Sequence, residues 1–283
     1  MTPLHWGAEA LWQQLRALLP GLSVEVVERC SSTNTALLER ARVEVRPEPD
    51  NADVLVHRSV ESAAFGRRAA DIQPCLLVAE NQTGGRGRLG RAWQSAPGSS
   101  LTFSLSLPIA REDWSGLSLA VGLALADALD PPDAGKAPRI GLKWPNDLWL
   151  MDGPARGRKL GGVLIETVAA GRTRLAVIGV GLNVKPMQAD EVGTGFACLQ
   201  ELDDAVSAPA ALHRLALPLV QALRRFQAEG FAGFRARYPR RDLLAGQPVR
   251  TTQQGLAEGT ACGVDEHGAL QVQTPGGNVA VTS

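Results

Sequence analysis

The sequence has no cysteine pair at metal-ligand spacing. Its four cysteines, Cys30, Cys75, Cys198 and Cys262, are scattered, and its four histidines include no His-Glu-x-x-His. This excludes a Cys/His structural zinc site and the metalloprotease arrangement. Scattered cysteines fit buried thiols in a reducing compartment better than a disulfide framework. Neither charge is in excess: 29 Lys and Arg stand against 29 Asp and Glu, so no global field draws the chain to nucleic acid or an anionic membrane. No apolar run approaches the about 18 residues of a membrane helix. The start, Met1 to Trp6, lacks a basic region leading into an apolar core and cleavage site. A cytoplasmic protein is expected. No Gly-Lys-Ser/Thr marks a P-loop, and the paired loops of a protein kinase are missing.

What is there is an ordinary globular composition, 45% hydrophobic and 20% charged over 283 residues, enough for one large domain or one domain plus a small one. Against it stands Gly84 to Trp93, Gly-Gly-Arg-Gly-Arg-Leu-Gly-Arg-Ala-Trp. Such a segment offers almost no apolar surface for a core, and its glycines lose the most backbone entropy on ordering. It suits an anion: glycines let backbone N–H groups converge, and Arg86, Arg88 and Arg91 add planar charged forks. The alternative is a solvated basic turn. The run hangs between two strand-like stretches, Cys75 to Ala79 and Leu101 to Leu107, a setting suited to a closing loop. Gly85 to Gly90 formally matches G-x-G-x-x-G. The stretch from Ala92 to Ser100, however, is turn-rich and not the helix that a dinucleotide fold requires there.

Leucines 11, 15, 18 and 19 at helical spacing predict a short helix stopping before Pro20-Gly21, with a strand at Val24 to Val27. Ser31 to Thr35 crowd hydroxyl and amide groups ahead of a helical Ala36 to Ala41. One N-cap needs one such residue, so several are left to meet a polar ligand. Ser115 to Leu129 reads as a buried helix. Pro209 to Ala228 reads as another, kinked or interrupted at Pro218. After Gly246, short alternating runs with glycines indicate a small β-barrel or sheet, and 240–245 is the expected boundary.

Lys143-Trp144-Pro145-Asn146-Asp147-Leu148-Trp149 follows a strand-like Arg139 to Leu142. A tight turn explains Pro-Asn-Asp alone. The two indoles, with an amide, a carboxylate and an ammonium, exceed what a turn requires. Asp147 is placed to pair with a cation or bind Mg²⁺ through water, and a Trp face to take a planar ring. Arg158 to Glu166 fits the second strand of a hairpin turning between Met151 and Gly157. There Lys159 reads either as a solvated lysine or, beside paired glycines that permit close backbone approach, as a phosphate or carboxylate contact. Ala176 to Val184 reads as a buried strand, with Asn183 the polar group at its end.

In order and spacing, Ser32-Thr33-Asn34, Gln82 to Trp93, Lys143 to Asp147, Lys159 to Gly162 and Gly179 to Asn183 resemble the catalytic core of biotin protein ligases. The resemblance implies an α+β fold: a mixed β-sheet flanked by helices, as in class II aminoacyl-tRNA synthetases, with a small C-terminal SH3-like β-barrel. The expected domains are a catalytic one at 1–240 and a second at 246–283. It implies a cytoplasmic ligase that uses ATP, biotin and Mg²⁺, forms biotinyl-5′-AMP, and passes biotin to a lysine of a biotin carboxyl carrier protein. By the same resemblance, Ser32, Thr33, Asn34, Gln82, Arg86, Gly87, Arg88 and Lys159 bind biotin. Arg88, Arg91, Trp93, Asp147 and Asn183 face ATP or the adenylate, and Lys159, Arg86 and Arg88 act in catalysis. Asp147 is the one indirect metal candidate.

The chain departs from the family pattern in two places. Only 31 residues precede Ser32, too few for the winged helix-turn-helix of bifunctional members, so no DNA binding is expected. An apparent insertion occupies 43–72. A homodimer is left open. A lipoyl or octanoyl ligase or transferase of the same fold is the enzymatic rival, and a non-enzymatic biotin or nucleotide sensor is the rival from another class.

Overall fold

The computed structural model describes residues 4–42, 63–65, 72–133, 135–153, 156–170, 173–187, 195–251 and 258–283. In chain order the elements are α1 (Ala8–Leu15), β1 (Ser23–Cys30), α2 (Thr33–Arg42), β2 (Ala63–Phe65), β3 (Cys75–Gln82), β4 (Gly85–Arg86), β5 (Ala92–Trp93), β6 (Ser100–Pro108) and α3 (Leu117–Leu129). They continue with β7 (Ile140–Lys143), β8 (Asp147–Gly153), β9 (Arg156–Ala170), β10 (Thr173–Asn183), α4 (Ala208–Glu229), α5 (Ala232–Arg235), β11 (Pro248–Arg250), β12 (Glu258–Val264), β13 (Leu270–Thr274) and β14 (Gly277–Val281).

The chain forms two compact units. The first is Met1–Ala110 with Val163–Ala189 and Cys198–Val220; the second is Arg111–Gly162 with Asp190–Ala197 and Gln221–Ser283. In the first unit the strands lie in the order β2-β1-β3-β6-β10-β9. β1 runs parallel to β3 and antiparallel to β2, while β6 is antiparallel to both β3 and β10, so the sheet is mixed. Leu37, Leu38 and Ala41 of α2 close over Cys75, Leu77, Leu175 and Val177. In β6 both faces are buried. Leu101, Phe103, Leu105 and Leu107 alternate with Ser100, Thr102, Ser104 and Ser106, none more than 4% exposed. An apolar face needs a core, and a buried hydroxyl face needs partners.

In the second unit β9 pairs with β8 and β8 with β7, both antiparallel, and α3 packs on them. β11 to β14 form a separate four-stranded antiparallel sheet in sequence order. Its core of Ala261, Leu270, Val272 and Val281 takes in Trp144 from the β7–β8 connection.

Three expectations shift. The first helix ends at Leu15, not Leu19: the chain turns toward Pro20-Gly21, and Leu19 reaches the core from the turn, 6% exposed. α4 is continuous through Pro218. A proline inside a helix costs about 3 kcal/mol, and the face of Leu212, Leu215, Leu219, Val220, Leu223 and Phe226, each at most 1% exposed, offsets it. The segment expected as a boundary is pinned to β7: Leu142 N–H donates to Arg241 O at 2.6 Å and Leu243 N–H to Leu142 O at 3.0 Å. The apparent insertion lies outside the described residues, apart from β2, which edges β1, and Ile72.

Candidate active site

The end of β1 and the start of α2 meet the end of β3 in the first unit. Ser32 caps α2, its carbonyl accepting from Ala36 N–H at 2.9 Å and its hydroxyl from Thr35 N–H at 3.4 Å. The single-cap explanation therefore accounts for Ser32. Thr33 and Asn34 turn inward, each 3% exposed. Thr33 N–H donates to Gln82 Oε1 at 2.7 Å, which ties helix to strand.

The Ser104 hydroxyl lies 2.6 Å from both Thr33 Oγ1 and Asn34 Oδ1. A hydroxyl has one proton, so Ser104 gives its own to Asn34 Oδ1, which can only accept, and the single Thr33 hydroxyl proton is shared between Ser104 Oγ and Gln82 Oε1, 3.1 Å away. Asn34 Nδ2 donates to Leu164 O at 3.2 Å and Glu166 Oε2 at 2.9 Å. With both amide hydrogens engaged, Asn34 braces the site from behind. Two residues in this network were not singled out from the sequence, Ser104 and Glu166. For Ser104 the signal was the alternation of hydroxyls with leucines; for Glu166 it was a carboxylate directly after the apolar run Val163 to Ile165 within β9.

The glycine-arginine segment folds as a small hairpin. β4 pairs with β5, Gly85 opposite Trp93 and Arg86 opposite Ala92, and Gly87 N–H donates to Arg91 O at 2.7 Å. Its base is fastened by Gly84 N–H to Ser31 O at 2.8 Å and Gln82 N–H to Ser95 Oγ at 2.8 Å. At the tip Leu89 is 85% exposed with φ of 56°, a strained conformation for a leucine. Arg86 Nη2 meets both oxygens of Glu166 at 3.1 Å. Among the described residues Arg88 and Arg91 have no ion-pair partner. The Trp93 indole rests on β10 at Gly181, where a Cβ would lie 2.6 Å from Cε2. Asn183 ends β10, 6% exposed, opposite Ser100.

In the second unit Lys159 Nζ reaches Asp147 Oδ1 at 2.8 Å, and both are about three-quarters covered. The expected pairing of Asp147 with a cation is present. Neither indole of the Lys143–Trp149 segment is offered to a ring, contrary to expectation. Trp144 Nε1–H donates to Gly268 O at 3.0 Å, and Trp149, 8% exposed, lies under Lys143 Nζ at 4.2 Å. Among the described residues no three His, Cys, Asp or Glu converge as metal ligands.

A mixed sheet whose strand ends hold a buried hydroxyl and amide patch beside a basic hairpin is the class of site suited to holding an anionic substrate. Residues 70–183 match the model of the biotin/lipoate A/B protein ligase family, and residues 245–283 that of the biotin protein ligase C terminal domain. The chain is 33% identical over 291 residues to the biotin--[acetyl-CoA-carboxylase] ligase of Mycobacterium tuberculosis, covering 98% of this chain and 90% of that one. It is 34% identical over 206 residues to the bifunctional ligase/repressor BirA of Escherichia coli, covering 70% of this chain and 61% of that one. The biotin protein ligase of Aquifex aeolicus in complex with biotin and ATP superposes with a TM-score of 0.68 at 25% identity, over 92% of this chain and 95% of that one. The chain belongs to the biotin protein ligase family.

Proposed function

We propose that the protein activates biotin with ATP and passes it to a lysine of a biotin carboxyl carrier protein. In the first step a biotin carboxylate oxygen attacks the α-phosphorus; the bond to the bridging oxygen breaks and pyrophosphate leaves, giving biotinyl-5′-AMP. In the second the lysine amine attacks the acyl carbon, the carbon–oxygen bond breaks with its electron pair going to AMP, and the amine loses a proton.

The observation that carries the reading is the hairpin bearing Arg86, Arg88 and Arg91, fastened at Ser31 and Gln82 beside the buried Thr33–Gln82 patch. Ser32, Thr33 and Gln82 line the biotin end, with Asn34 behind them as brace. Arg86, Gly87 and Arg88 take the carboxylate, and Arg88, Arg91, Trp93 and Asn183 the adenylate. Lys159, its charge balanced by Asp147 at 2.8 Å, neutralises developing negative charge during phosphoryl attack. A closed hairpin also keeps water from the mixed anhydride.

The donor set does not fit a protein-held Mg²⁺, since Asp147 Oδ1 is committed to Lys159 and no ligand triad exists among the described residues. Magnesium enters the proposal only with the nucleotide substrate. The matched C-terminal segment supports a catalytic region at 1–240 and an accessory sheet at 246–283. Four free cysteines fit a cytoplasmic site, and among the described residues no helix is long and apolar enough to cross a membrane.

The test is ATP–pyrophosphate exchange with biotin, lipoate or neither, followed by streptavidin detection of a carrier domain. Exchange with biotin alone supports the reading. Exchange with lipoate alone transfers the protein to the lipoyl branch, and binding without exchange makes it a sensor.

A further inference from the structure

The chain of bonds that begins at Gln82 does not end in the buried patch. It runs Gln82 to Thr33 at 2.7 Å, Thr33 to Ser104 and Ser104 to Asn34 at 2.6 Å, Asn34 to Glu166 at 2.9 Å, and Glu166 to Arg86 at 3.1 Å. Glu166 Oε2 is the joint, accepting from the buried amide of Asn34 and from the hairpin guanidinium together. Arg86 spends one nitrogen, Nη2, on both carboxylate oxygens, so its Nε and Nη1 are not committed to Glu166.

We propose that Glu166 is the positioning residue of the glycine-arginine hairpin: it ties Arg86 to the buried Thr33–Asn34–Ser104–Gln82 network, and so couples filling of the polar recess to the orientation of the hairpin. The coupling rests on the biotin reading above; the tether itself does not. Three features support it. Apart from the Trp93 indole, which holds its base against Gly181, the glycine-rich hairpin has little apolar surface to hold down the Arg86 side. The Glu166 side chain is one-quarter exposed and the Arg86 side chain under half, so the pair sits at the rim, where it can act on the hairpin without being part of the core. Asn34 is oriented by Ser104 and Leu164, so Glu166 is held from behind by a group that cannot swing away.

The ligand-independent test uses trypsin, which cuts after arginine, with fragments followed by mass spectrometry in the absence of biotin and ATP. Cleavage after Arg88 and Arg91 should quicken about fivefold in Glu166→Ala, what a rim ion pair is worth at its upper limit. Glu166→Gln, which keeps an acceptor oxygen at the joint, should fall between the two. Arg86→Ala should match Glu166→Ala, and the double variant should add nothing further. Unchanged cleavage in Glu166→Ala overturns the tether. So does an equal rise at sites throughout the chain, which makes Glu166 a residue of the fold, and so does additivity of the two alanines.

The coupling is read in the exchange assay. In Glu166→Ala the KM for biotin should rise more than kcat falls, because a smaller fraction of molecules holds the competent hairpin. A fall in kcat alone overturns it. Should the wild-type protein show no exchange with biotin, the coupling falls with the biotin reading, while the cleavage experiment still decides the tether.

Discussion

Asn34 Oδ1 occupies the space that a side chain on Gly179 would fill, only 2.4 Å from where its Cβ would lie. The same oxygen takes the Ser104 proton at 2.6 Å. Glycine at 179 is thus a condition for helix α2 to dock on β10 with its polar end inward. Gly179→Ala should push Asn34 off Ser104 and Glu166 and destabilise the protein by about 1–3 kcal/mol, the usual cost of overpacking. A melting temperature lower by several degrees, with exchange activity reduced more than folded fraction, is the expected result.

Lys159→Ala removes the cation beside Asp147 and leaves a carboxylate about three-quarters covered. Adenylate formation should slow by about 10²–10³, the scale of losing one preorganised charge partner. Single-turnover pyrophosphate release with biotin and ATP measures it. A melting curve like that of the wild type would show that the loss is chemical, and near-normal adenylation would return Lys159 to an ordinary solvated role.

Arg241 is buried, its side chain 1% exposed. It donates to Asp127 Oδ1 at 2.7 Å, Asp130 Oδ2 at 2.9 Å and Ile140 O at 2.8 Å. Arg241→Ala takes one partner from Asp127, which keeps Arg237, and one from Asp130, which keeps the Arg139 and Ile140 N–H groups, and it leaves the Ile140 carbonyl without its donor, so it should cost about 1–3 kcal/mol. Arg241→Lys should recover less than half, since an ammonium cannot span three acceptors in the guanidinium plane. Urea denaturation of the two variants separates these outcomes.

Burial pushes the Asp242 carboxyl above its ordinary value, only partly offset by the Leu244 and Ala245 N–H groups and the Tyr238 hydroxyl. The folded state then holds a proton that the unfolded chain gives up sooner. Stability tied to this group is highest below the ordinary aspartate pKa of about 3.9 and declines as pH rises through the raised value. Asp242→Asn keeps the acceptor for Leu244 N–H, which lies at 2.9 Å from Oδ1. The variant should melt higher than wild type at neutral pH, with the gap closing as pH is lowered toward 4. A constant gap across that range would exclude Asp242 titration as its source.

Much of the architecture was legible because period and punctuation are local. The Leu101–Leu107 alternation read as a strand, the apolar run at 115–129 as a helix, found at Leu117–Leu129, and the glycine-spaced alternation after Gly246 as a small β-barrel or sheet, of which the four-stranded antiparallel sheet is found. At Pro218 the helix is not interrupted, because the rule for proline is local while the burial that offsets it is not. Trp144 and Trp149 misled for the same reason. An indole near a turn reads as available until the surface that covers it, here Gly268 and Lys143, is in view.

By itself, the sequence determined the residue types and order that set the family: the glycine-arginine segment, the Ser-Thr-Asn run, Lys143 to Asp147, Lys159 and Asn183. Only the tertiary structure decided which of them share bonds. Ser104 and Glu166 come from different strands, β6 and β9, yet both bond Asn34. Sequence pattern records what each strand face buries; pairing across strands and the docking of α2 determine whose donors meet whose acceptors.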